Sequence, residues 1–171
     1  ARPAHRWPGR MSAAPHIPVL LAEVLAALAL GPGDLYVDAT LGAGGYLRAA
    51  RAHGLGHAYG FDRDPQAHVL NADIAGADDV TLIRRPFSEM AEGLADHGVT
   101  AVDAIAFDIG VSSMQIDTAE RGFSFQADGP LDMRMGRPED DSAGAAAAAA
   151  IAAPSTPQQT MTAADIVNTW S

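Results

Sequence analysis

The stretch YVDATLGAGGYLRAA, residues 36 to 50, decides the fold predicted for this chain of 171 residues. It opens as a short apolar run that ends in Asp38, passes through Gly42, Gly44 and Gly45, and becomes helix-forming near Tyr46. We interpret it as a strand, a sharp turn and a helix, because glycine reaches positive φ angles and lets a ligand approach the main chain. A plain strand-to-helix turn is the alternative, since short glycine motifs are not specific.

The rest of the first 110 residues repeats this strand and helix plan. Further apolar runs that predict strands lie at 58–62, 80–84 and 104–110. Helical segments are predicted at 17–30, 65–75 and 88–98. Asp64 and Pro65 are start signals for the second of these helices, and Gly98 is a stop signal for the third. Continuous apolar strands that alternate with helices predict the α/β class, with a doubly wound parallel sheet.

Composition excludes several kinds of protein. The absence of cysteine excludes disulfides and thiol chemistry, and it favours a reducing cytoplasm. All 11 cationic side chains are arginine and the formal charge is −10, which argues against binding nucleic acid through bulk charge. The six histidines show no metal-ligand spacing, so we predict no metal site. The most apolar run, 19–30, is shorter than the roughly 20 residues of a membrane span, so no membrane segment is predicted.

The glycine turn departs from the dinucleotide fingerprint G-x-G-x-x-G, because Leu47 stands at the position of the third glycine. An acid four residues before G-x-G-G, here Asp38, is instead the form of the first motif in class I methyltransferases, which bind S-adenosylmethionine. Asp62 ends the second predicted strand, where a carboxylate can accept hydrogen bonds from both ribose hydroxyls of an adenosine cofactor. The alternative for Asp62 is a solvated acid at a strand end.

Two more candidates lie after the third predicted strand and at the end of the fourth. The ring of Phe87 could pack against an adenine, and core packing is its alternative. Asp108 is placed where open α/β sheets bind their ligands, and it could accept a hydrogen bond from the amino group of a cofactor or a substrate. Capping of the following loop is the alternative for Asp108.

Five segments together resemble the RsmH (MraW) family of S-adenosylmethionine-dependent 16S rRNA methyltransferases. They are HIPVLLAEVL (16–25), YVDATLGAGGY (36–46), GFDRDPQA (60–67), FDIGVSSMQID (107–117) and ERGFSFQADGPLDMRM (120–135). The resemblance implies a class I, Rossmann-like fold with S-adenosyl-L-methionine as cofactor. It also implies N4-methylation of a cytidine in the decoding region of 16S rRNA, with the small ribosomal subunit as partner.

The resemblance implies cofactor contacts at seven positions: Gly44, Gly45, Tyr46, Asp62, Phe87, Asp108 and Gln115. Tyr46 replaces the usual histidine of the family, and Met114 replaces the usual proline ahead of Gln115. No catalytic base is implied. Our hypothesis is that Asp108 and the 110–117 loop help to orient the amine that receives the methyl group.

The expected domain organisation follows from the same comparison and from local composition. Residues 1–15 are expected to form a disordered leader and 16–110 the cofactor-binding domain. Residues 111–171 are expected to hold a polar substrate-side loop, a low-complexity insertion at 139–159 and, after a cap at Thr162, the start of an inserted helical domain. Because family members are longer, we expect this chain to be an N-terminal portion, and a homodimer is left open.

Three arginines form the basic cluster of the long loop: Arg121, Arg134 and Arg137. We expect them to face RNA phosphate, with solvated loop charge as the alternative. Two other functional classes stay open at this point. One is a nicotinamide-dependent oxidoreductase, which would share Asp62 and the α/β pattern. The other is a module that binds cofactor without turnover.

Overall fold

The structure is a computed structural model that describes residues 18–135 and 162–169. The predictions for the leader at 1–15, the insertion at 139–159 and Arg137 lie outside these residues. The described residues form four strands: β1 (Leu35–Asp38), β2 (His57–Phe61), β3 (Val80–Ile83) and β4 (Ala104–Ala106). The α-helices are α1 (Leu21–Leu28), α2 (Gly45–Arg51), α3 (Pro65–Leu70), α4 (Met90–Ala95), α5 (Ser113–Asp117) and α6 (Ala163–Thr169). Short 3-10 helices span Phe87–Glu89 and Ala119–Arg121.

The four strands form one sheet in the order β3-β2-β1-β4, and every pairing is parallel. Val37 in the central strand lies opposite Tyr59 on one side and Ile105 on the other. This order is the one in which the first four strands of a doubly wound nucleotide-binding sheet are arranged. The predicted α/β class with a parallel sheet is confirmed.

Side chains of successive strand residues enter two separate cores, one on each face of the sheet. Tyr36 and Leu47 belong to the cluster that also contains residues of α1, whereas Val37 and Phe61 belong to the cluster with Leu94 of α4. Burial of a side chain as large as Phe61, which is fully buried, contributes about 1.5–3 kcal/mol. Helices therefore cover both faces, as the continuous apolar strands predicted.

The predicted start of α3 and stop of α4 are confirmed by their hydrogen bonds. The Asp64 carboxylate accepts a bond from the backbone N–H of Gln66 at 3.0 Å, with Pro65 in the first turn. After α4, Gly98 has a φ of +74°, and the N–H of Val99 donates to the carbonyl of Leu94 at 3.0 Å.

Several predicted boundaries are wrong. The helices expected over 65–75 and 88–98 end at Leu70 and Ala95, where the chain passes into turns. The strand expected over 104–110 ends at Ala106, because the N–H of Asp108 donates to the Thr40 hydroxyl at 2.7 Å instead of continuing the ladder. The helix expected over 17–30 spans Leu21–Leu28 and ends where Ala29 adopts a φ of +50°. The helix expected after Thr162 is present as α6, and its assignment to an inserted domain stays a prediction. None of the described helices is long and apolar enough to cross a bilayer.

Gly98→Ala is expected to lower the free energy of unfolding by about 1 kcal/mol, because alanine is strained at positive φ. No atom lies within 4 Å of the position that the new Cβ would take, so the backbone alone sets this cost. Urea denaturation measures it. Gly76→Ala is the matched control, since its Cβ also meets nothing within 4 Å and its φ lies outside the left-handed region. A loss of equal size in the control would contradict the explanation.

Candidate functional site

A cleft of about 630 Å³ opens at the carboxyl ends of the four strands. Its size falls within the roughly 300–1,000 Å³ of small-molecule and cofactor sites. Residues after every strand contribute to it: Thr40–Ala43, Gly45 and Tyr46 after β1, Asp62–Asp64 after β2, Pro86–Ser88 after β3 and Asp108–Ser112 after β4. Pro18, Gln115 and Met135 complete the lining. This edge of the sheet is where open α/β folds bind ligands.

The glycine loop after β1 is held by bonds from two other elements. The N–H of Gly42 donates to the Asp62 carboxylate at 2.9 Å, and the amide of Asn71 donates to the carbonyl of Gly42 at 3.0 Å. Gly42 and Gly44 adopt positive φ angles of +48° and +76°. The predicted turn is therefore present, with α2 beginning at Gly45.

Asn71 is a site-supporting residue that the sequence did not reveal. It is fully buried at the end of α3, donates to the carbonyls of Gly42 and Ala67, and accepts from Arg48 at 3.1 Å. A Cβ built on Gly44 would clash with its side-chain oxygen. Gly44 lies behind the cleft and not in its lining, so close packing against Asn71 explains the glycine there.

Asp62 lies directly after β2 and contributes its carboxylate to the cleft. One oxygen accepts from the N–H of Gly42 and the other accepts from the N–H of Asp64, both at 2.9 Å. A carboxylate has about four acceptor positions, so capacity remains for hydroxyl donors of a ligand. These backbone bonds fix the orientation of the carboxylate before any ligand arrives.

Aromatic rings border two sides of the cleft. Phe87 is 45% exposed, lines the cleft, and contacts Phe107 edge to face with ring centroids 5.7 Å apart. Tyr46 lies in the first turn of α2, and its largely buried side chain forms part of the cleft wall. Burial raises the pKa of Tyr46, and the carboxylates of Asp108 and Asp38 raise this pKa further. The exposed Phe87 ring is free to pack against a flat ligand group.

Asp38, the acid of the glycine motif, lies beneath the cleft and is only 1% exposed. Burial raises the pKa of Asp38 to about 7, an effect that the backbone N–H groups of Thr40 and Leu47 partly oppose and the charges of Asp62 and Asp108 reinforce. One of its oxygens accepts from Thr40, and the other has no hydrogen-bond partner in the described residues. A carboxyl in this setting holds its proton to a higher pH than an exposed aspartate does.

The substrate-side segment carries a short helix that the sequence analysis missed. Ser112 and Gln115 form a capping box at α5, in which the Ser112 hydroxyl accepts from the backbone N–H of Gln115 and the side-chain oxygen Oε1 of Gln115 accepts from the backbone N–H of Ser112. The S-x-x-Q pattern was a visible signal for it. Gln115 is 5% exposed, and its amide nitrogen donates to the carbonyl of Met135 at 3.5 Å.

The expectation that Arg121 faces RNA phosphate is wrong. Its guanidinium is 5% exposed and pairs with Asp64 at 2.7 Å, because the 119–135 segment folds back onto the start of α3. Arg134 is also engaged, with bonds of 2.6 and 2.7 Å to the Asp132 carboxylate. Asp132 in turn has its pKa lowered, chiefly by the hydrogen bond from Arg134.

Six of the seven predicted cofactor residues line the cleft, and Gly44 supports it from behind. Three of the described lining residues are aspartates and one, Arg63, is cationic. Such a lining suits a ligand with hydroxyl or cationic groups better than one with a pyrophosphate. Within the described parts of the chain, no group of three or more His, Cys, Asp or Glu could hold a metal ion.

Comparison with known proteins shows related sequences. The chain is 56% identical over 128 residues to ribosomal RNA small subunit methyltransferase H of Novosphingobium aromaticivorans, covering 72% of this chain and 39% of that protein. The protein of the same name from Rhodospirillum rubrum is 45% identical over 159 residues, covering 91% of this chain and 42% of its own length. The chain thus spans about two fifths of these curated relatives.

Among solved structures, an rRNA methylase from Streptococcus thermophilus aligns with a TM-score of 0.42 at 25% identity, over 59% of this chain and 58% of that one. The family profile described as the MraW methylase family matches residues 13–152, which is most of the chain. The glycine turn, the strand-end acids and the ERGFSF segment all lie within that match. The chain belongs to the MraW methylase family.

Proposed function

We propose that this chain is the cofactor-binding part of an S-adenosylmethionine-dependent methyltransferase that modifies N4 of a cytidine in 16S rRNA. The observation that carries the proposal is the cleft, in which a glycine turn, an exposed aromatic ring and carboxylates at the ends of β2 and β4 face one space. Relatives named as methyltransferases of small subunit ribosomal RNA support the substrate.

Each part of the cofactor has a matching group in the cleft. S-adenosylmethionine, when bound, supplies an electrophilic methyl group on a sulfonium. Asp62 would accept the ribose hydroxyls and Phe87 would pack on the adenine. The Gly45–Tyr46 backbone and Asp108 would hold the amino-acid part, whose ammonium suits a carboxylate partner. Gln115 would close the cleft from the substrate side.

The contribution of the protein to methyl transfer would be mainly positional. Transfer of a methyl group to an amine requires donor and acceptor in line at close range, and holding them so removes much of the entropic barrier. The cytosine must first leave its stack. Asp108 and the 110–117 loop border the cleft from the β4 side, and we propose that they orient the exocyclic amine.

The nicotinamide-dependent oxidoreductase is the weaker alternative. Leu47, at the position of the third fingerprint glycine, is fully buried in the core beneath α2. The aspartates of the cleft would also repel a pyrophosphate. A module that binds cofactor without turnover is the second alternative, and an activity assay on small ribosomal subunits separates it from the enzyme.

Titration calorimetry with S-adenosylhomocysteine tests the cofactor assignment directly. We expect saturable binding to the chain and no competition by NAD. Asp62→Ala is expected to weaken binding about a hundredfold, because hydrogen bonds to a charged acceptor contribute roughly 1.5–3 kcal/mol each. Asp103→Ala is the control, since that carboxylate binds the N–H of Leu35 at the opposite end of the sheet. Equal affinity in both variants, or binding of NAD instead, would contradict the assignment.

The partner and compartment complete the proposal. The small ribosomal subunit is proposed as the substrate particle and the cytoplasm as the compartment, because the RNA named in the relatives resides there. The homodimer left open above is tested by sedimentation of the purified chain. Because Arg121 is buried in its pair with Asp64, the contacts with RNA phosphate are proposed to come from other cations.

A further inference from the structure

A buried ion pair joins the start of α3 to the 119–135 segment at the cleft. Asp64, at the start of α3, and Arg121, in the second 3-10 helix, approach to 2.7 Å, and both side chains are 5% exposed. The two residues are 57 positions apart in the chain. Four other ion pairs, which join Arg48, Arg51, Arg85 and Arg134 to aspartates, each have a partner that is at least a quarter exposed. Both side chains of the Asp64–Arg121 pair are buried, so this pair is placed to act inside the molecule and not on its surface.

The pair belongs to a continuous set of hydrogen bonds that links residues of the cleft lining. Asp62 accepts from the N–H of Asp64, and Asp64 accepts from Arg121. The other terminal nitrogen of Arg121 donates to the carbonyl of Met135 at 2.7 Å, and the Gln115 amide donates to that same carbonyl. Four contacts thus connect the strand-end acid Asp62 with Gln115 on the far wall.

The chemistry of this position requires arginine. A guanidinium donates from separate nitrogens in a fixed planar fork, so it can bind the Asp64 carboxylate and the Met135 carbonyl together. A lysine ammonium can replace the charge, but it presents one nitrogen and cannot span both partners in the same way. The carbonyl of Arg121 also accepts from the N–H of Met133 at 3.1 Å, which fixes the backbone around it.

We propose that Arg121 is a positioning residue that holds the Gln115 and Met135 wall against the Asp62 wall and so sets the affinity of the cleft for its cofactor. The inference rests on the proposed function, because it takes S-adenosylhomocysteine as the ligand. It assigns to this arginine a role in shaping the cleft in place of a contact with RNA.

Arg121→Lys separates positioning from stability. The lysine keeps a buried positive charge beside Asp64, so the fold is expected to persist by circular dichroism and urea denaturation. Affinity for S-adenosylhomocysteine is expected to fall about tenfold, because the contact with Met135 is lost. Arg51→Lys is the matched control, since Arg51 makes a two-bond pair with Asp79 outside the cleft lining. The control is expected to bind as the unmodified chain does.

A second variant removes both charges together. Asp64→Asn combined with Arg121→Gln leaves no unpaired buried charge, and the asparagine can still cap α3. The same loss of affinity is expected. Unchanged affinity in both folded variants would overturn the proposal, and so would failure of both to fold, because Arg121 would then serve stability alone. If the unmodified chain does not bind the ligand at all, the proposed function fails and this inference falls with it.

Discussion

Gly44→Ala is expected to lower the free energy of unfolding by about 3–5 kcal/mol and to abolish cofactor binding. Two costs add at this position. The backbone has a φ of +76°, where alanine is strained, and the new methyl group would overlap the side-chain oxygen of Asn71. Asn71 cannot move aside cheaply, because it is fully buried and bonded to Gly42, Ala67 and Arg48.

Gly42→Ala provides the matched control for this prediction. Gly42 also has a positive φ, +48°, but the atom nearest to its added Cβ is the carbonyl oxygen of Thr40 at 3.8 Å. Gly42→Ala is expected to lower the free energy of unfolding by about 1 kcal/mol, from backbone strain alone. Urea denaturation of the two variants measures the difference. Equal losses would show that Asn71 is not the reason for glycine at position 44.

Most of the sheet could be predicted because its signals are local. The apolar runs that became β1 to β3 end in a charged residue or are followed by one, and Asp64 and Gly98 mark helix ends through bonds between near neighbours in the chain. The strand-end rule then placed Asp62, Phe87 and Asp108 around one cleft. These predictions required only short-range chemistry and the parallel order of the sheet.

The supporting residues could not be predicted in the same way. Asn71 contacts Gly42, and Arg121 contacts Asp64, across 29 and 57 positions of sequence. An asparagine after a helix or an arginine in a polar loop has no local pattern that reveals such a partner. The sequence assigns Arg121 to RNA phosphate because it belongs to the basic cluster of the long loop, and only the folded chain shows that this arginine is buried.

Asp38, the acid of the glycine motif, makes the stability of the fold depend on pH. Asp38 is buried at the end of the central strand, and this burial raises its pKa from 3.8 to about 7. The folded chain therefore binds a proton that the unfolded chain has released between about pH 4 and pH 7. The contribution of this group to stability is fully present below pH 4 and is lost as the pH rises to about 7. The total difference is about 4 kcal/mol.

Asp38→Asn is expected to remove this dependence. The amide oxygen can still accept from the N–H of Thr40, and no charge has to be buried at any pH. Relative to the unmodified chain, the variant is expected to gain about 3 kcal/mol in free energy of unfolding between pH 5 and pH 8. Histidines also titrate in this range, but both chains share them, so their effect cancels in the difference.

Urea denaturation of both chains at pH 5 and pH 8 gives the four free energies needed. Asp103→Asn is the control, because it removes the same formal charge from an exposed position at the other end of the sheet. Parallel pH dependence of Asp38→Asn and the unmodified chain would mean that Asp38 keeps its ordinary acidity in the fold. If the free energy of unfolding of Asp38→Asn rises relative to the unmodified chain between pH 5 and pH 8, and that of Asp103→Asn does not, the chain keeps a destabilising acid beneath its cleft. A cationic ligand would then stabilise the ionised form of Asp38 and recover part of that free energy on binding.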